Sequence, residues 1–315
     1  NLNITWDATN GLIARSLLKE EVVIAAAESG CIGINIGIES GNPKILHQIK
    51  KPGKVDTFLK AAEILQKYPQ INVRALLIIG FPHETLGMMF DTIRLSEEMN
   101  LDWHNLAILQ PWKNTPIYDA MVDEGLLGEE EGTLKTGNNK VAPYQLGTYS
   151  RQRAIEKGLI QQSDFGEKEG LNQGFLQRLE ISNFNEVPSA EILDDIWFYM
   201  NVRLNFSRLF RETRKTKLEQ QLKFLNYVSN KTAPDNALIM YFYALLQWKV
   251  TGGVDHNIKT RLDERLRESD YWQSRFRSFG LGYDQVRDEN FPKCITYGGA
   301  PRSFTENRAL FEFPT

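Results

Sequence analysis

Four short apolar, β-branched runs punctuate the first third of the chain, at Leu2–Trp6, Ile32–Ile38, Val73–Ile79 and Asn105–Leu109. Each is followed by apolar residues at helical spacing. Leu17, Leu18, Val22 and Val23 follow the first run and stop at Gly30. Phe58, Ala61, Ala62, Ile64 and Leu65 follow the second, Met88 to Met99 the third, and Ile117 to Leu127 the fourth. Strands that recur every roughly 30 to 40 residues with helices between them predict βα units and a parallel sheet. The unbroken apolarity of Ala75–Ile79 agrees, because strands of a parallel sheet are covered on both faces.

The texture then changes. From Gly128 to about Phe184 the chain is polar and turn-rich, with Glu129–Glu131, Gly132, Gly137, Gly166 and Gly170, and reads as a linker or covering segment. Helical signals return after Pro188. Ser189 is placed to cap a helix bearing Ile192, Leu193, Ile196, Trp197, Met200 and Leu204, and further helices are expected over Leu218–Val228, Ala237–Val250 and Ile258–Trp272. The expected organisation is a βα region over 1–126, a covering segment over 127–185 and a helical domain over 186–315. A tetratricopeptide-like hairpin over Lys217–Gly252 finds no second copy.

In 315 residues, 42% apolar content suffices for a sizeable core, and 37 basic against 40 acidic residues leave no global field favouring nucleic acid. A short cluster of Arg211, Arg214, Lys215 and Lys217 is the one basic concentration in the carboxy-terminal third. The longest apolar run, Ala75 to Phe81, is far below the roughly 20 residues that span a bilayer. A cytoplasmic protein without membrane contact is expected. Two cysteines, Cys31 and Cys294, exclude a disulfide framework or a tetrathiolate metal site built from this sequence alone. Because Asn1 opens directly on a strand-like run, the chain reads as part of a longer protein.

Parallel βα architectures collect reactive groups at the carboxyl ends of their strands. That rule selects Trp6-Asp7, Gly37 to Gly41, Gly80 to Glu84, and Gln110-Pro111 running to Pro116. Glu39, followed by Ser40 and Gly41, suits ribose hydroxyls or an ammonium group; a solvated acid or a structural ion pair fits the position equally. Gly80 permits close approach of backbone to a ligand. Glu84 reads as a helix N-terminal acid and His83 as incidental. The four histidines show no metal-ligand spacing.

Three of these segments together, Gly30-Cys31 through Glu39-Ser40-Gly41, Leu77-Ile78-Ile79-Gly80-Phe81-Pro82-His83-Glu84-Thr85, and Pro111 through Thr115-Pro116-Ile117-Tyr118, resemble the radical S-adenosylmethionine (SAM) superfamily, particularly its cobalamin-dependent class. The resemblance covers Ile4 to Tyr118. It implies an α/β fold, the last four βα units of a partial, open barrel, followed by a mainly helical carboxy-terminal subdomain. It assigns Glu39 and Ser40 to the polar half of SAM, Ile79-Gly80 to adenosine, Leu109 and Pro111 to adenine, and Asp7 to a strand end facing the shared cavity. His83 and Asn114 stand where the family commonly has glycine.

As implied cofactors the resemblance gives S-adenosylmethionine, a [4Fe–4S] cluster ligated from outside these residues because the Cys-x3-Cys-x2-Cys loop is not among them, and cobalamin on a further domain. As partners it implies a small-molecule substrate and a reductant such as ferredoxin or flavodoxin, with no nucleic acid. Cys31 is expected to be a small buried apolar residue rather than a ligand. The alternatives are a cobalamin-independent enzyme, of methylthiotransferase or porphyrin-oxidase type, and a degenerate barrel serving as a binding scaffold.

Overall fold

Strand β3 (Asn72–Ile79) shows how the sheet forms: Val73, Ala75, Leu77 and Ile79 are buried, while the residues between them are half-exposed. Alternation of this kind means one thickly covered face and one open face. β3 pairs in parallel with β2 (Cys31–Glu39) and β4 (Trp103–Ile108), and β2 pairs in parallel with β1 (Trp6–Leu12), giving the order β1-β2-β3-β4. The computed structural model describes residues 4–126, 134–135, 141–142, 184–188 and 190–297. They fall in two compact units, residues 1–147 with 183–205, and residues 148–182 with 206–315.

In the first unit, sequential strand order and right-handed crossovers put every connecting helix on one face. Those helices are α1 (Glu20–Glu28), the short α2 (Pro43–Gln48), α3 (Val55–Leu65) and α4 (Leu86–Met99). The register Ile34↔Val73 and Ile36↔Ala75 stacks fully buried side chains on that face. The other face carries Asp7, Gly33, Asn35, Gly37, Arg74 and Leu76, which are small, polar or half-exposed. A face of that composition suits a barrel lumen. These four βα units agree with the partial barrel expected of them.

The outer edge of β4 is closed by side chains. Asn205 accepts from His104 N at 2.7 Å and donates to its carbonyl at 2.9 Å, imitating a neighbouring strand, and Trp197 donates to the Leu106 carbonyl at 2.7 Å. Those groups would otherwise be open to pairing with another chain. Trp197 lies on α6 (Ala190–Asn201), which a π turn, Val202–Phe206, extends. Expected from its spacing to open the carboxy-terminal helices, α6 instead packs against β4.

The first strand is also displaced. It runs from Trp6 to Leu12 rather than ending at Trp6; Ile4 and Thr5 are not strand, and residues 1–3 lie outside the described residues. The covering segment expected over 127–185 lies outside them too, except for the short strands β5 (Leu134–Lys135) and β6 (Val141–Ala142) and residues 184–185. The Ser189 cap is likewise outside. α5 (Pro116–Asp123) follows β4.

The second unit is helical: α7 (Lys215–Tyr227), α8 (Ala237–Thr251), α9 (His256–Glu268), α10 (Asp270–Ser278) and α11 (Tyr283–Arg287). α8 is apolar on nearly all sides and is the unit's core, with α7, α9 and α11 against it. Ser269 divides the run expected over Ile258–Trp272 by accepting from Trp272 N as the cap of α10. Lys249 turns inward and donates to the carbonyls of Leu209, Phe210 and Glu212, groups at a helix end that lack intrahelical donors. Burial draws its ammonium below the ordinary range. Among the described residues no helix is long and apolar enough to cross a membrane.

Candidate functional site

At the carboxyl end of β2 the ladder slips one residue between Gly37 and Glu39, and Glu39 takes a left-handed φ of 67°. A non-glycine residue there is strained, and the surrounding structure must hold it. The turn that follows is bonded to α4. Gly41 N donates to Thr92 Oγ1 at 2.8 Å, the Ser40 and Thr92 hydroxyls lie 3.2 Å apart, and Asn42 Nδ2 donates to Asp91 Oδ2 at 2.6 Å. Gly41 has to be glycine, because a Cβ would sit 2.6 Å from Thr92 Cα.

Held in this way, the Glu39 carboxylate accepts from Lys51 Nζ at 2.9 Å, with both side chains 21% exposed. The pair borders a cleft of about 200 Å³ between the ends of β1 and β2, whose other walls include Asn10, Ile13, Pro52, Gly53 and Phe58. Among the described residues Glu39 Oε2 accepts no hydrogen bond. The cleft therefore offers one open carboxylate oxygen, one ammonium with donors to spare and an apolar wall. Lys51 was not singled out in the sequence. Its signal was the Lys-Lys-Pro-Gly run just after a short capped helix, too common a pattern to notice unaided.

At the end of β3, Gly80 has φ 85° and its missing side chain leaves room for Leu193, whose Cδ1 would lie 3.1 Å from a Cβ. The glycine is required by the turn and by α6, so its backbone geometry rather than an open approach explains it. Glu84 does not face the helix dipole as expected. It is fully buried and folds back so that Oε2 accepts from Gly80 N at 2.7 Å and Phe81 N at 3.2 Å, while Oε1 is buried without a partner. Burial raises its carboxyl to about 7, against the lowering effect of those two N–H bonds. Thr85 caps α4. His83, expected to be incidental, adopts φ 61° and meets Glu124 at 2.8 Å; Asn114 has φ 66°, so both stand in conformations that glycine adopts most easily.

At the end of β4, Leu109 N donates to the Ile79 carbonyl at 2.8 Å, tying the third and fourth strand ends together. Leu109 packs with Ile45, Phe81 and Met121 under the loops, and Pro111 is buried beside the exposed Trp112. Glu39, Ile79, Gly80, Leu109 and Pro111 thus share the carboxyl edge of the sheet, as predicted.

Asp7 does not join them, and Ser40 shares that edge without reaching the cleft. Asp7 lies at the amino end of β1, paired in register with Gly33, and forms an ion pair with Arg74 across the open sheet face. It lies at the wrong end of its strand because the strand begins where the apolar run stops. Gly33 makes the bridge possible, since a Cβ would stand 2.6 Å from the Asp7 carboxyl carbon and 2.8 Å from Arg74 Nη2. A Cβ there meets only the ends of the Asp7 and Arg74 side chains, so Gly33→Ala should displace that pair at a cost below about 1 kcal/mol in a urea titration, and a larger loss would refute that steric account. Ser40 faces the right edge but is fully buried, with its hydroxyl taken by Asn42 N and Thr92. It shapes the turn and does not reach the cleft.

The two cysteines lie in different units. Cys31 is buried at the amino edge of the sheet with its thiol directed at the Gly33 carbonyl, and burial pushes that thiol up; Cys294 is an exposed residue of the second unit. Among the described residues no three His, Cys, Asp or Glu side chains gather as a metal site.

Residues 5–96 match the family model of the radical SAM superfamily. An uncharacterized methyltransferase of Pyrococcus horikoshii is 29% identical over 126 residues, 40% of this chain and 27% of that protein. The tRNA-2-methylthio-N(6)-dimethylallyladenosine synthase of Thermotoga petrophila is 30% identical over 103 residues, 32% and 23% of the two chains. The bacteriochlorophyllide d C-12(1)-methyltransferase of Chlorobaculum tepidum is 27% identical over 123 residues, 39% and 26%. The aligned stretches span about a quarter of each relative, and residues 5–96 hold three of the four strands and two of the three strand-end turns. The likeness to the radical SAM superfamily thus rests on residues 5–96 of the chain.

Proposed function

We propose that the first unit binds S-adenosylmethionine along the carboxyl edge of its sheet, and that the whole protein is a radical SAM enzyme. The observation that carries this reading is the Glu39–Lys51 pair beside a cleft at the end of β2, within the stretch that matches the superfamily. SAM carries an ammonium and a carboxylate at its methionyl end, two hydroxyls on its central ribose and a flat adenine at the other end. Glu39 suits the hydroxyls or the ammonium, Lys51 suits the carboxylate, and the edge formed by Ile79-Gly80 and Leu109-Pro111 lies further along the same row of strand ends for the base.

A reduced [4Fe–4S] cluster would supply the electron that cleaves SAM to methionine and a 5′-deoxyadenosyl radical. Cys31 and Cys294 do not fit as its ligands, so in this reading the thiols come from outside these residues and no step here passes through them. What this chain contributes is binding and orientation: Glu39 and Lys51 grip the polar end while the buried strand ends exclude water from the face where the radical would form.

Methyl transfer with cobalamin is the favoured use of that radical chemistry, supported by the resemblance of the strand-end motifs and by two relatives named methyltransferases. A small molecule is the proposed substrate, with a ferredoxin or flavodoxin as reductant. Methylthio transfer is the second reading, favoured by the relative of that name.

Two measurements test the proposal. Glu39→Gln should weaken binding of S-adenosylhomocysteine about 10- to 100-fold by calorimetry, the range expected for losing a charged acceptor. The full-length protein, reconstituted anaerobically with iron and sulfide and reduced with dithionite, should release 5′-deoxyadenosine from SAM. Unchanged binding in the variant would remove Glu39 from the site, and no 5′-deoxyadenosine would leave the barrel a scaffold.

A further inference from the structure

We infer that Thr92 and Asp91, on α4, are positioning residues that fix both halves of the Glu39–Lys51 pair. The inference rests on the reading of that pair as ligands of the cosubstrate, and it adds residues that lie on the covered face of the sheet, behind the site.

Two lines of hydrogen bonds run from α4 to the cleft. Thr92 is fully buried on the apolar stripe of its helix. Its hydroxyl donates to the Met88 carbonyl at 3.4 Å, accepts from Gly41 N and meets the Ser40 hydroxyl, so it fixes the two residues that immediately follow the strained Glu39. Asp91 receives Asn42 Nδ2, and Asn42 Oδ1 in turn caps α2 through Lys44 N at 2.9 Å and Ile45 N at 3.3 Å. Lys51 emerges from the end of α2 with its N–H bonded to the Leu46 carbonyl at 2.9 Å. One helix turn therefore references the carboxylate through Thr92 and the ammonium through Asp91.

The same helix begins at Thr85, next to the Glu84 that holds the Gly80-Phe81 turn. The ends of β2 and β3 are thus tied to one rigid element. A helix rises about 1.5 Å per residue with little give, so α4 sets the spacing between the polar end of the site and the Gly80 edge. A buried threonine is a stiff choice for this task, because its hydroxyl is committed to local partners and its methyl packs in the core.

The test is the binding of S-adenosylhomocysteine, measured by calorimetry well below every variant's unfolding midpoint. Thr92→Val keeps the shape and removes the hydroxyl; it should weaken binding about 10-fold, and Thr92→Ser should restore it to within about twofold. Asp91→Ala, at a half-exposed position that tolerates truncation, should weaken binding about threefold even if the valine variant does not fold. Val73→Ala, at the opposite end of β3, supplies a destabilised control that should bind as the parent does. The inference is overturned if Thr92→Val and Asp91→Ala bind normally while Glu39→Gln does not, or if Val73→Ala loses as much as they do. If Glu39→Gln itself binds normally, the underlying assignment of the site fails first.

Discussion

Replacing Arg203 with methionine should cost about 3 kcal/mol of unfolding free energy. Arg203 is 4% exposed and meets Glu97 on α4 through two bonds, Nε to Oε1 at 2.6 Å and Nη2 to Oε2 at 2.9 Å, while Nη1 donates to the Tyr199 hydroxyl at 3.0 Å. Methionine fills the same space without charge, so the loss reports the severed pair more than a cavity. Glu97 keeps 26% of its side-chain surface in solvent, which places the expected cost at the low end of the range for buried pairs. Burial holds the Tyr199 hydroxyl up at about 12 despite Arg203 beside it, so it remains a neutral acceptor across the working range.

The effect should extend beyond local packing. Arg203 lies in the π turn that continues α6, two residues before Asn205 closes the edge of β4. Losing the guanidinium should therefore loosen both α6 and the strand it seals, and hydrogen exchange should quicken at the His104 amide in particular. A loss below about 1 kcal/mol in urea, or an unchanged His104 amide, would contradict this account.

Much of the first unit was legible because burial and pairing coincide in its central strands. Ile34, Ile36 and Ile38 in β2, and Val73, Ala75, Leu77 and Ile79 in β3, are apolar because helices cover them. β1 is the instructive exception. Trp-Asp-Ala-Thr-Asn-Gly-Leu lies at the edge of the sheet and is mostly exposed, so it carries no burial signal and yields none to a periodicity search. The apolar run before it mimics a strand, which puts Asp7 at the carboxyl end in the sequence pattern and at the amino end in the fold. α6 was found as a helix but not as a companion of β4, since the partner of an amphipathic stripe is not written in its spacing.

The site divides in the same way. Glu39 stands out because strand-end acids are few, whereas Lys51 and Thr92 are defined by partners distant in sequence. Thr92 did leave a trace: a hydroxyl on the buried stripe of Met89, Ile93 and Leu95 needs a hydrogen-bond partner. Ser40 shows the converse. Its neighbour's role suggested a ligand, but full burial gave its hydroxyl to the turn.

Glu84→Gln should make the protein less sensitive to alkali, with a difference of up to about 3 kcal/mol from the parent above pH 8. The folded carboxyl sits near 7 because its burial outweighs the two N–H bonds it accepts, whereas its unfolded value is the ordinary 4.5. Since the folded state holds this proton more tightly, the contribution to stability is complete below pH 4.5 and is lost as pH rises through about 7. Glutamine mimics the protonated acid, keeping an oxygen for Gly80 N and Phe81 N and placing an uncharged group where Oε1 is buried. The variant and parent should therefore unfold alike at pH 4.5 and diverge toward pH 8, with the variant more stable. Taking the difference between them removes every other titrating group from the comparison. The turn that Glu84 holds ends β3 beside the proposed adenosine edge, so loosening it in the parent should also weaken S-adenosylhomocysteine binding between pH 6.5 and 8, while the glutamine variant holds its affinity. Parallel stability curves for the two proteins between pH 4.5 and 7 would mean that burial does not raise this carboxyl.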